Sequence, residues 1–158
     1  MNKMLKSAIL AFATLGFVAA PVLADEAAEK AIGARKAQMQ LYSFNIGQLG
    51  AMAKGEVDYD AAVASAAANN LASLAAMNGM AMWPQGSDST AMPDKTRTKV
   101  EAWTTWPKIS EASAAMKKAS ADLALVAGDG LDALRGGIGD VGKSCGGCHK
   151  PFREEKKE

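Results

Sequence analysis

GDGLDALRGGIGDVGKSCGGCHKPFR, residues 128–153, is the stretch on which the fold turns. Leu131, Leu134, Ile138 and Val141 recur at steps of three and four, and Cys145 and Cys148 continue the series. Such spacing puts side chains on one face of an α-helix and does not fit the two-residue period of a strand. Asp129 is the expected N-cap. Pro151 has no amide to donate to the Gly147 carbonyl, so the helix is expected to kink or end just after His149. The mixed charges from Arg153 onward read as a solvated helix end.

Working outward, three more segments carry the same rhythm. The first runs through Ile32, Arg35, Met39, Tyr42, Ile46, Leu49 and Ala53. The second, opened by Asp58 or Asp60, runs through Val63, Ala67, Asn70, Leu74 and Met77, and the third from Ile109 through Met116 and Leu123 to Val126. In this reading Met39 is the methionine of the inward stripe of the first helix, and Met52 lies off it. KGEVDYD (54–60) joins the first two helices tightly, which makes them antiparallel neighbours. WPQGSDSTAMPDKTRTK (83–99) is a longer polar crossing broken by Pro84, Gly86 and Pro93, and AGDG (127–130) divides the last two helices. The fold class that follows is all-α, an up-down-up-down antiparallel four-helix bundle in a single domain over residues 25–158.

The chain opens with Lys3 and Lys6, the apolar run SAILAFATLGFVAA and then PVLAD. Val22 and Ala24 suit an A-x-A-like cleavage site, so residues 1–24 read as a signal peptide removed on export, in a bacterium to the periplasm. The run is short for a membrane anchor and no second one follows, so no membrane span is expected after cleavage. The whole chain has 18 basic and 17 acidic side chains. Cleavage removes two lysines and no acid, leaving a net charge near −1 and no basic face for nucleic acid.

The only two cysteines and the only histidine lie within five positions, as C-x-x-C-H. On a helix Cys145, Cys148 and His149 can meet one object. A thioredoxin-like dithiol expects a βαβ setting, zinc needs a fourth ligand, and a plain disulfide leaves His149 without a role. Covalent attachment of one haem c uses all three: the thiols form thioethers and His149 becomes an axial iron ligand. Six glycines between Gly136 and Gly147 each cost about 0.8–1 kcal/mol against alanine in a helix interior. A large flat cofactor against the backbone would account for them; a frayed terminus is the alternative.

These features resemble cytochrome c′, the class II c-type cytochromes. KGEVDYDAA, WPQGSDS and AGDGLDALR are similar to that family's turn and helix-start segments, and CGGCHKPFR is the most specific match. The resemblance implies an arginine near a haem propionate and, four residues on, a side chain over the distal iron face. RKAQM places Arg35 and Met39 there, the latter fifteen residues before Lys54. It also implies that Arg153 lies beside the proximal imidazole. Snorkelling to solvent is the other reading of Arg35.

Two functions follow from the sixth coordination position. A Met39 sulfur bonded to iron gives a closed His/Met site suited to one-electron transfer with redox partner proteins. A Met39 that only covers the iron leaves a five-coordinate site open to nitric oxide or carbon monoxide. The first is taken as the main reading and the second as its alternative. Either way the protein supplies ligands and dielectric and is not an enzyme. Tyr42 and Phe44 are placed near the porphyrin edge or in ordinary core packing. The resemblance further implies a homodimer through the first two helices.

Overall fold

Alanine is the commonest residue in three of the four long helical segments, and it loses the least entropy in a helix. The computed structural model describes residues 20–156, with side chains from residue 25. The signal segment expected over 1–24 lies outside the described residues, except that the backbone of 20–24 is continuous with the first helix. The helices are α1 (Ala20–Lys54), α2 (Ala61–Ala76), the short α3 (Glu101–Thr104), α4 (Trp106–Val126) and α5 (Leu131–Phe152), with a 3-10 turn at Met80–Met82. Among the described residues the only β-type pairing is an isolated antiparallel bridge between Thr98 and Arg153.

The joins explain how the four long helices align. α1 stops because Gly55 takes φ +77°, a left-handed conformation cheap only for glycine. Its amide and that of Glu56 then bond back to Met52 and Ala51, closing a Schellman motif. Asp60 caps α2, its carboxylate accepting from the amides of Ala62 (2.8 Å) and Val63 (2.9 Å). Asp60→Ala is expected to cost about 1 kcal/mol, read as a lower urea midpoint at unchanged slope, and Asp60→Asn is expected to restore most of it.

Tyr59 Oη donates to the Ala127 carbonyl at 2.9 Å and accepts from the Gly130 amide at 3.0 Å. Arg135 Nε donates to Ala53 O at 2.8 Å. The end of α1, the start of α2, the end of α4 and the start of α5 thus share one end of the molecule. α1 packs on α2, α2 on α4, α4 on α5 and α5 back on α1. This is the expected antiparallel bundle.

Its core is small-residue and aliphatic: Leu49, Ala68, Leu71, Leu123, Leu134 and Val141 are fully buried. Ala102, Ile109 and Phe152 form a second cluster, with Trp83, Trp103 and Cys148 packed against it. Among the described residues no helix is long and apolar enough to cross a membrane.

Several expectations are corrected. Gly130, at φ +124°, is the N-cap residue of α5 in place of Asp129 and makes no side-chain cap. The Asp129 amide closes the end of α4 on Val126 O, which places its exposed side chain one residue early. The buried face of α2 is Ala64, Ala67, Ala68 and Leu71, while Val63, Asn70 and Met77 are exposed. In an alanine-rich helix the large residues are not the ones that allow close approach.

Met52 is 2% exposed and Met39 42%, the reverse of the expected placing. Met52 sits against the core where the chain turns into α2, its sulfur 3.5 Å from the Asp60 amide. α5 runs through Pro151 to Phe152, three residues beyond His149. The carbonyl left without a donor belongs to exposed Gly147, where water can serve it. The charged tail does not continue as helix; Arg153 pairs with Thr98 instead.

Candidate haem site

Two cysteines three apart on α5 stand on one side of the helix, one on each core cluster. Cys145 packs against the main core and Cys148 against the second cluster. Both are unpaired and half-buried. Burial raises both thiol pKa values, and Cys145 pushes that of Cys148 further while Arg153 opposes it. Burial thus favours the protonated form of both, and the nucleophile that adds to a vinyl group is the sulfur once its proton has left.

His149 follows on the same turn. Burial lowers its pKa, and the guanidiniums of Arg153 and then Arg97 lower it further. At neutral pH the imidazole is neutral and has a lone pair for a metal. Tyr42 of α1 lies beside Cys145; burial, and to a lesser extent that thiol, pushes its phenol up to about 12. Tyr42 packs on the main core, whereas Phe44 stands 66% exposed.

Arg35 does not snorkel. It is 5% exposed, and burial lowers its pKa. Its Nη1 donates to Met82 O at 2.6 Å and Ser87 Oγ at 2.8 Å, and Nη2 to Ser87 O at 2.6 Å. Its guanidinium carbon lies 4.9 Å from the Trp83 ring centroid and 5.7 Å from that of Trp103. No carboxylate pairs with it among the described residues. A buried cation held by neutral acceptors and aromatic faces retains the need for an anionic partner.

The residues suit a haem on three counts: two free thiols, an adjacent neutral imidazole, and a buried unpaired guanidinium. Added Cβ atoms at Gly142 and Gly146 would meet nothing within 4 Å, so the backbone on that side of α5 is open. Gly137 has a different reason: a Cβ there would lie 2.9 Å from Cδ1 of buried Leu123 on α4, so any side chain at 137 would have to displace that leucine. Among the described residues no three His, Cys, Asp or Glu side chains gather as a metal cluster, and the fourth ligand that zinc needs is not among them.

Of the sequence-predicted residues, α5 carries Cys145, Cys148, His149 and, just past its end, Arg153; α1 carries Arg35 and Met39. The second cluster links the two groups, because Trp83 and Trp103 touch both Arg35 and the surroundings of Cys148. Sequence reasoning missed Trp83, Trp103, Ser87 and Arg97. All lie in or beside the polar crossing, where no periodicity marks an inward side chain.

Known proteins share the family pattern and the fold. The family model described as Cytochrome C' matches residues 30–153. Cytochrome c-554 from Cereibacter sphaeroides is 35% identical over 150 residues, covering 90% of this chain and 94% of that protein. The solved cytochrome c' from Rhodobacter spheriodes superposes with a TM-score of 0.79 at 33% identity, covering 82% of this chain and 98% of its own. A nitric oxide complex of a cytochrome c prime variant from Alcaligenes xylosoxidans superposes with a TM-score of 0.71 at 29% identity, covering 82% and 97%.

Proposed function

Because this chain belongs to the cytochrome c′ family and carries one covalently attached haem c, we propose that it binds nitric oxide or carbon monoxide at an open iron face covered by Met39. In this reading Cys145 and Cys148 hold the haem, His149 is the axial ligand, and Arg35 faces a propionate. Arg153 completes the proximal side. Residues 1–24 direct export to the periplasm. The protein binds and carries electrons and is not an enzyme.

The observation that carries gas binding is the likeness to a fold-mate solved as a nitric oxide complex, over 82% of this chain and 97% of that one. The chain's own chemistry supports it. His149 is the only histidine, so no second imidazole competes for the iron. When bound, the haem supplies an iron that accepts one electron or one diatomic gas. The thiols fix it, the neutral imidazole binds from one side, and Arg35 offers its charge to a carboxylate.

A second reading, the electron carrier in which Met39 sulfur closes the site, is favoured by one feature. Met39 is a thioether one turn beyond Arg35 on α1. The two readings separate in the visible spectrum of the reduced holoprotein with and without carbon monoxide. Gas binding predicts broad high-spin bands that convert on adding the gas, with Met39→Ala leaving the spin state unchanged. Sharp low-spin bands indifferent to the gas, turned high-spin by Met39→Ala, would replace it with the electron carrier.

Dimer formation is part of the same proposal. Leu41 and Phe44 of α1 and Val63 of α2 are exposed apolar side chains on the two helices concerned. Such residues suit contact with a second copy.

A further inference from the structure

The polar crossing between α2 and α3 is laid against the chain that leaves α5. The Lys99 amide donates to Phe152 O at 2.9 Å and the Glu154 amide to Arg97 O at 2.8 Å, on either side of the Thr98–Arg153 bridge. Ser89 secures the pairing, its amide donating to Thr98 O at 2.7 Å and its hydroxyl to Glu154 Oε1 at 2.7 Å. The Arg153 amide in turn donates to His149 O at 3.0 Å. Backbone pairing therefore sets Arg97 opposite Glu154, just past the last turn of α5, the turn that carries His149.

The Arg97 side chain has little other employment. Its Nη1 reaches the Glu154 backbone carbonyl at 3.3 Å, and no carboxylate forms an ion pair with it among the described residues. The nearest acid along the paired strand, Glu154, is engaged by Ser89.

We propose that Arg97 is a second cation of the proximal side, alongside Arg153, and that it raises the reduction potential of the iron. The inference rests on His149 being the axial ligand. The oxidised centre carries one more positive charge than the reduced one, so a fixed cation nearby favours reduction.

The test is the midpoint potential of the holoprotein, by spectroelectrochemistry, for the parent, Arg97→Gln, Arg97→Lys and Lys54→Gln. Lys54 is the control because it lies at the Ala53–Arg135 end of the bundle. His149 is roughly 21 Å further along α5 than Arg135, well beyond the Debye length of about 8 Å at physiological ionic strength.

Arg97→Gln should lower the reduced-to-oxidised ratio at a fixed electrode potential roughly threefold to tenfold, tenfold being 59 mV for one electron. Arg97→Lys should retain most of the parental value and Lys54→Gln nearly all of it. A parental potential in Arg97→Gln overturns the proposal. So does an Arg97→Lys value as low as that of Gln, since then the guanidinium bond to Glu154 O matters and the charge does not. The iron–imidazole stretch in the resonance Raman spectrum of ferrous Met39→Ala, which is five-coordinate under either reading of Met39, keeps the premise separate. Its absence defeats His149 ligation and the Arg97 proposal together; its presence with unchanged potentials defeats the Arg97 proposal alone.

Discussion

Replacing both Cys145 and Cys148 by serine is expected to convert all of the bound haem from covalent to extractable. Acidified organic solvent should strip it from the variant and leave it on the parent. Only a thiol adds to the vinyl groups under these conditions; a serine hydroxyl is a far weaker nucleophile. His149 alone then holds the iron, and acid removes that bond by protonating the imidazole. Each single variant, Cys145→Ala or Cys148→Ala, should keep its haem through the remaining thioether. Because both sites are half-buried beside different core clusters, far-ultraviolet circular dichroism of the double variant checks that the helices persist. Haem that stays bound to the double variant through acid extraction would sink the thioether assignment.

The second large effect falls on Arg35. Arg35→Ala removes three hydrogen bonds, to Met82 O, Ser87 Oγ and Ser87 O. Hydrogen bonds to a charged group contribute about 1.5–3 kcal/mol each, and acceptors left buried add a desolvation cost. These bonds share one anchor and do not add independently, so an expected loss of about 3–5 kcal/mol is reasonable. The Ser87 hydroxyl keeps its own bond to Pro84 O at 2.7 Å, which limits the damage to the Arg35 side of the loop.

The loss also reaches beyond the loop, because the Trp83 and Trp103 rings that flank the guanidinium pack on the cluster containing Cys148. Arg35→Lys preserves the charge but not the fork that serves three acceptors, and should recover less than half of the loss. Urea unfolding of the holoprotein measures both variants. The haem remains covalent throughout, so stability is read apart from cofactor loss. An Arg35→Ala midpoint at the parental value would show that the loop is held elsewhere.

Much of this molecule was legible from residue spacing. Period-three-and-four runs identified all four long helices, and Asp60 was read correctly as one of two possible caps because its carboxylate acts on amides two and three residues away. C-x-x-C-H is equally local: its three members lie within five positions, so a single helical turn brings them together. Failures occurred where a second segment decides. Asp129 and Gly130 both stand at the start of α5, and the choice between them lies with Tyr59, which binds the Gly130 amide from another loop.

By itself, then, the sequence determined four helices, their breaks, and the cluster of thiols and imidazole, because each is a property of neighbours on one helix. The tertiary structure alone decided which edge of each stripe is buried, exchanging Met52 for Met39 in the core and Ala64 for Val63. Hydrophobic burial depends on the surface that an adjoining helix presents, and that is not written in the period. It alone also decided that Ser87 receives Arg35 and that residues 97–99 lie beside the end of α5. Those partners are far apart along the chain, and backbone and buried polar groups find them only when the helices have closed and water has left.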